Sequence, residues 1–121
     1  MELLFFVLNH IEKLDELLIR LSEKGLKGAT ILTSAGMAKS IYDSSLSGRN
    51  ENIIINSLKI LLNDNSNENK TIFTIVDEQQ KQIFKNVVDE VIGPLNKKNT
   101  GIMFTVPVSS IYGIENYGIE N

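Results

Sequence analysis

The stretch Thr71–Gly93, TIFTIVDEQQKQIFKNVVDEVIG, contains the pattern that decides the fold of this chain. It opens with a run of apolar and β-branched residues, Thr71–Val76, which predicts a strand. Asp77 follows, with Gln80 three positions later, which is the spacing of a capping box at the start of a helix. Apolar side chains then recur at helical spacing until Gly93, a residue typical of a helix end. The stretch therefore predicts a strand followed by a capped helix.

The same order occurs near the N terminus. Leu3–Leu8 (LLFFVL) predicts a strand, and Asn9 with Glu12 three positions later predicts a second capping box. An apolar stripe at helical spacing then runs to Gly25. One further strand is predicted after each helix: Ala29–Thr33 and Ile102–Val108. Two such units predict an α+β, ferredoxin-like βαββαβ fold, with a four-stranded antiparallel sheet and both helices on one face.

Composition limits the classes of function. The chain has 121 residues and a formal net charge of −3, so one mildly acidic domain is expected, and nucleic acid is not an expected partner. The absence of cysteine excludes disulfides and thiol chemistry, and the single histidine, His10, excludes a multi-histidine metal site within one chain. No apolar run approaches the roughly 20 residues of a membrane span, and no signal peptide is recognised. We expect a cytoplasmic protein without membrane insertion.

The predicted strands indicate self-association. The first strand is apolar at every position and the last strand nearly so, and such strands are normally covered on both faces. Two helices cover one face of the sheet only. We therefore expect the second face to be buried against sister subunits.

The link before the last strand is the first candidate binding site. It runs from Gly93 to Gly101 and is longer than the corresponding link in the first half of the chain. Lys97, Lys98 and Thr100 lie on it together with Gly101. Lysines, a hydroxyl and backbone N–H groups on one loop suit a phosphate or a carboxylate. The alternative is a solvated loop that only reaches the next strand.

The connection between the second and third strands, about residues 37–69, is the second candidate. Gly36, Met37 and Lys39 stand at its beginning, where a glycine lets a ligand come close to the backbone. Ile53–Leu62 is apolar and predicts a short helix within the connection. Long connections are commonly interaction surfaces, and the alternative is a poorly ordered insertion.

Three segments carry a resemblance to a known family: GATILTSAGMAK at 28–39, NKTIFTIVD at 69–77 and NTGIMFTVPV at 99–108. With the twofold βαβ plan and the long connection, they resemble the PII-like family of nitrogen regulatory signalling proteins. They are most similar to a divergent subgroup of that family. The resemblance covers residues 1–113, whereas residues 114–121, which complete a repeated YGIEN, are expected to be a frayed tail.

The resemblance implies a cytoplasmic homotrimer that is a regulator and has no catalytic residue and no metal. A small anionic effector, an adenine nucleotide or a related molecule, would bind in the clefts between subunits. The long connection, called the T-loop in that family, would contact a target such as a transporter or an enzyme. The effector-binding residues that follow are Gly36, Met37 and Lys39 of one subunit with Lys97, Lys98, Thr100 and Gly101 nearby.

Three other functions remain open. An RNA-binding module of RRM-like topology shares the βαββαβ order, and Phe5 and Phe73 offer aromatic rings on its strands. The acidic charge opposes that alternative. A small enzyme would need an anion clamp such as a strand-end arginine, but the arginines, Arg20 and Arg49, fall on a helix and in the long connection. The last alternative is a structural oligomer with no small-molecule ligand.

Overall fold

The computed structural model describes residues 1–37, 68–97 and 100–113. The predicted α+β, ferredoxin-like arrangement is confirmed: four antiparallel strands form one sheet, which packs against two helices. The elements are, in chain order, β1 (Glu2–Leu8), a 3₁₀ turn (Ile11–Lys13), α1 (Leu14–Glu23), β2 (Thr30–Ser34), β3 (Asn69–Val76), α2 (Glu78–Val91) and β4 (Gly101–Pro107).

The strand order in the sheet is β2-β3-β1-β4, and every neighbouring pair is antiparallel. The apolar strands β1 and β3 therefore lie in the centre, and β2 and β4 form the two edges. Phe5 of β1 pairs with Phe73 on one side and with Phe104 on the other. Paired residues lie on the same face of a sheet, so this register also fixes which side chains share a face.

Alternate residues of β1 build the core under the helices. Leu4, Phe6 and Leu8 are fully buried, and the residues between them are only partly buried. The Phe6 ring packs edge-on against the Phe84 ring of α2, with 6.1 Å between ring centroids. This periodicity of two places one face of β1 against the helices and leaves the other face uncovered. We call the uncovered side the open face.

The two predicted capping boxes have different outcomes. At α2 the prediction is confirmed, because the Asp77 side chain accepts from the Gln80 N–H and the Gln80 side chain accepts from the Asp77 N–H. At Asn9 the prediction is wrong. The Ile11 N–H donates to the Asn9 carbonyl, and the Lys13 N–H donates to the His10 carbonyl in a 3₁₀ turn. Helix α1 begins only at Leu14, without a side-chain cap. The turn's own backbone bonds replace the predicted side-chain cap.

The glycine stops are confirmed. Gly25 follows α1 with a φ of +91°, and the Leu26 N–H donates to the Leu21 carbonyl across the end of the helix. A positive φ is the conformation in which glycine ends helices most easily. The helix predicted at Ile53–Leu62, the rest of the long connection from 38 to 67, and residues 114–121 lie outside the described residues. Within the described part of the chain, neither helix is long and apolar enough to cross a bilayer.

Candidate functional site

The two predicted binding segments lie at the same end of the sheet but on opposite edges. One row of paired residues crosses that end, from Thr33 through Lys70 and Leu8 to Gly101. Gly36 follows the end of β2 on one edge, and Gly101 begins β4 on the other. Three strand spacings separate the edges, which is about 14 Å. Within one chain the two segments therefore do not meet.

The loop before β4 is held by its own hydrogen bonds. The Lys97 N–H donates to the Pro94 carbonyl over 3.2 Å, and the Thr100 hydroxyl donates to the Lys97 carbonyl over 2.9 Å. Thr100 is buried and Lys97 is exposed. The Thr100 hydroxyl proton is thus engaged inside the loop, whereas the Lys97 ammonium faces solvent. Of the two, Lys97 brings a positive charge to the exposed surface of the loop.

Gly101 has a packing reason to be glycine. Its φ is +146°, and a Cβ at this position would stand 2.4 Å from the Val7 carbonyl oxygen and 2.9 Å from the Phe6 ring. Such distances are far below van der Waals contact. At Gly36, by contrast, a Cβ would meet none of the residues that the structure describes within 4 Å. Of these two glycines predicted to bind the effector, packing against described residues requires a glycine at position 101 but not at position 36.

Polar side chains tie β2 to β3 where the long connection leaves and returns. On the open face the Ser34 hydroxyl donates its proton to the Asn69 side-chain oxygen. The oxygen of the Ser34 hydroxyl therefore accepts from the Thr71 hydroxyl, which lies 2.7 Å away. On the helix face the Lys70 ammonium donates to the Thr33 hydroxyl over 2.8 Å. Both faces of the last β2–β3 pairs are therefore bonded, so the ends of the connection start from a fixed position.

The open face is dominated by three phenylalanine rings in one row. The Phe5 ring stacks on Phe104 with centroids 5.0 Å apart, and its centroid lies 5.9 Å from that of Phe73. Phe104 remains 46% exposed. The strand residues that the register places on this face are, besides the three phenylalanines, Leu3, Val7, Thr30, Leu32, Ser34, Asn69, Thr71, Ile75, Ile102 and Val106. None of these strand residues carries a charge.

A cavity of about 490 Å³ opens on this face beside β2. Its lining consists of Leu3, Gly28, Thr30, Phe73, Thr74, Ile75, Tyr112 and Gly113. The volume lies within the range of small-molecule sites. The Thr74 hydroxyl, which the register places on the helix face, donates to the Gly28 carbonyl over 3.1 Å and ties the segment before β2 to β3. Tyr112 stands at the rim with 90% of its surface exposed.

An ion pair lies at the other end of the sheet, on the helix face. The Lys81 ammonium donates to Glu2 over 2.6 Å and lies 2.9 Å from Glu78. The hydrogen bond from Lys81 holds the pKa of the Glu2 carboxyl below its ordinary value of 4.5. The bond to Glu2 likewise raises the pKa of Lys81 above 10.5. This pair joins β1 to α2 and lies far from the predicted binding segments.

The structure thus places five of the predicted binding residues, in two groups. Gly36 and Met37 lie past one sheet edge, and Lys97, Thr100 and Gly101 lie at the other, whereas Lys39 and Lys98 fall outside the described residues. The cavity beside β2 and its rim tyrosine were missed by the sequence reasoning. The wholly apolar run of β1 was the available signal for the open face, but the position of Tyr112 depends on how the chain runs after β4.

A comparison with protein-family models and with curated proteins finds no match to this chain.

Proposed function

We propose that this chain is a PII-like regulatory protein of the cytoplasm. It assembles as a homotrimer, binds a small anionic effector such as an adenine nucleotide in the clefts between subunits, and controls a target protein through its long connection. The observation that carries the proposal is the position of the two glycine segments, at the same end of the sheet and on opposite edges.

That position suits a site shared between subunits. In a closed ring of identical copies each contact is heterologous, so one edge of a subunit meets the opposite edge of the next. Gly36 and Met37 of one copy would then stand beside Lys97 and Gly101 of its neighbour. A trimer would contain three such clefts. Each subunit alone holds only half of the site, because about 14 Å of sheet separates the halves.

The open face supports assembly. Its strand residues are apolar or neutral, and exposed side chains extend over β4 and β2, with Ile102 at 59% and Leu32 at 51%. A large, contiguous patch of exposed apolar surface commonly marks a site of interaction with a partner. Both sheet edges also lack charged residues, although edge strands of monomers usually carry charges that block pairing. Burial of this surface between copies would remove both the apolar patch and the uncharged strand edges from contact with water.

The effector is expected to be an anion because lysines stand at the loop before β4. In the family, the glycine of this loop is followed by a lysine, whereas Gly101 is followed here by Ile102. Lys97 and Lys98 supply positive charge a few residues earlier. Backbone N–H groups at Gly36 would approach the same anion, since no described residue would come within 4 Å of a Cβ built at that glycine.

The experiment is thermal unfolding against ATP, ADP, AMP, cyclic dinucleotides, 2-oxoglutarate and bicarbonate. A ligand at about 100 times its Kd stabilises the protein by about 2.7 kcal/mol. The double variant Lys97→Ala/Lys98→Ala should lose the shift. Its matched control is Lys24→Ala/Lys27→Ala, which removes two lysines from the corresponding link of the first half. Light scattering on the same samples measures the assembly.

A shift that disappears in the first double variant and persists in the control would support the proposal. A clean monomer at micromolar concentration, or equal shifts in both double variants, would contradict it. If no anion on the panel stabilises the protein, the structural oligomer without a ligand becomes the better description.

An RNA-binding module is the second candidate, and the row of three phenylalanine rings favours it. Aromatic rings on an open sheet stack bases in RRM-type modules. Such modules also need positive charge near the rings, and the described strand positions of the open face contain no lysine or arginine. Filter binding with mixed RNA separates the candidates, because retention of RNA at physiological salt is expected only of the RNA-binding module.

A further inference from the structure

We infer that the cavity beside β2 receives the Phe104 side chain of the neighbouring copy in the assembly. The inference rests on the proposed function, because it starts from the ring in which Gly36 of one copy stands beside Gly101 of the next. It adds a contact that joins the copies and sets their register. The occupant of the cavity is thus a second copy of this chain.

The rows of paired residues in the sheet give the register of that contact. One row joins Thr33 on the β2 edge to Gly101 on the β4 edge, and another, three positions away on every strand, joins Thr30 to Phe104. The proposed cleft brings the glycine ends of two opposite edges together, so the rows of adjacent copies stand level with one another. Phe104 of one copy therefore faces Thr30 of its neighbour.

The cavity lies level with two side chains of the β4 edge, Phe104 and Val106. Four of its lining residues come from the rows that end in these two side chains: Thr30 and Phe73 from the first row, and Leu3 and Ile75 from the second. The first row carries a phenylalanine on three strands and the smaller Thr30 on β2. The cavity opens beside that smaller residue, where a ring from the next copy would continue the row.

Phe104 is suited to cross between copies. On one side its ring stacks on Phe5 of its own chain, with centroids 5.0 Å apart, yet 46% of its surface remains exposed. Val106, which lies on the same face, is 39% exposed. The described lining of the cavity is free of ionisable side chains apart from Tyr112, so the contact buries apolar surface without stripping water from a charge.

The test exchanges the two side chains between the edges. Thr30→Phe fills the cavity with a ring of its own chain, and Phe104→Ala removes the ring that we expect to enter it. Each variant alone should raise the midpoint concentration of dissociation, measured by light scattering on a dilution series, by about tenfold or more. The double variant Thr30→Phe/Phe104→Ala again has one ring at each contact, so its midpoint should return close to that of the wild type.

A rescue of this kind acts only between copies. Within one chain the two positions lie on opposite edges of the sheet, about 14 Å apart, so the new ring cannot replace the lost one there. Both residues are exposed in the single chain, and their replacement leaves its core intact. The matched control is Thr30→Phe/Ile102→Ala, because Ile102 lies on the same edge and face as Phe104 but in a different row. This mismatched pair should not restore assembly.

A second measurement uses the wild type and is independent of how the variants fold. In protein assembled from an equal mixture of isotope-labelled and unlabelled chains, isotope-filtered NMR detects only contacts between copies. We expect such contacts between the ring of Phe104 and the methyl group of Thr30. Their absence from an assembled protein would overturn the inference.

The same conclusion follows if both single variants assemble like the wild type, if the exchange fails to restore assembly, or if the mismatched pair restores it as well. In each of these cases the wild type is still an oligomer, and the anion panel continues to test the proposed function. A monomeric wild type would overturn the proposed function and this inference together.

Discussion

Replacement of Gly101 by alanine should destabilise the whole domain. The added methyl group would be built 2.4 Å from the Val7 carbonyl oxygen and 2.9 Å from the ring of Phe6, a residue at the centre of the core. Neither neighbour can move far. Val7 is held in register between β3 and β4, and the Phe6 ring is packed against Phe84.

The expected cost has two parts. Overpacking a well-packed site costs about 1–3 kcal/mol. Holding an alanine near the φ of +146° found at Gly101 costs about 1–3 kcal/mol more. We therefore expect Gly101→Ala to lower the free energy of unfolding by about 4 kcal/mol, which is a large part of the 5–15 kcal/mol typical of a domain. At this chain length the loss corresponds to a fall in Tm of about 15 °C.

Urea unfolding followed by circular dichroism, at one fixed protein concentration, measures the change. The midpoint should fall by about 2 M with little change in slope. Gly36→Ala is the control, since a Cβ there meets no atom of the described ranges within 4 Å, and its midpoint should stay close to that of the wild type. If Gly101→Ala costs less than about 1 kcal/mol, or if Gly36→Ala costs as much, the packing argument is refuted. If instead the expected difference is found, Gly36→Ala and not Gly101→Ala is the clean probe of effector binding.

Three further predictions concern the helix cap, the ion pair and the open face. Asp77→Ala removes the capping bond of α2 and should cost about 1 kcal/mol in urea unfolding. Because the bond from Lys81 lowers the pKa of Glu2, the pair stabilises the fold above pH 4.5, and this contribution is lost as the pH falls through the lowered pKa. The stability difference between the wild type and Glu2→Gln should therefore shrink on acidification, and a constant difference in pH-dependent unfolding would contradict this. Phe104→Glu places a charge on the open face and should shift the proposed trimer toward monomers in light scattering, whereas Gln82→Glu on the exposed side of α2 should not.

The sequence by itself determined the class of fold. Strand–helix–strand order was readable twice because apolar side chains recur with a period near 3.6 in the helices and stand in short runs in the strands. The glycine stops and the Asp77 cap were readable because their chemistry is local. The start of the first helix was not readable in this way. A 3₁₀ turn satisfies the backbone groups that a side-chain cap at Asn9 would satisfy, and no local sequence pattern distinguishes the turn from the cap.

Tertiary structure alone decided where the candidate site residues lie and what surrounds them. Gly101 was predicted to bind an anion, but only strand pairing reveals that β1 presses against it. The row of Phe73, Phe5 and Phe104 combines residues of three strands, so it exists only once the register is fixed. The cavity under Tyr112 likewise depends on contacts between segments far apart in the chain. Local patterns determine elements, whereas the distances between elements arise from packing, and binding sites are made of those distances.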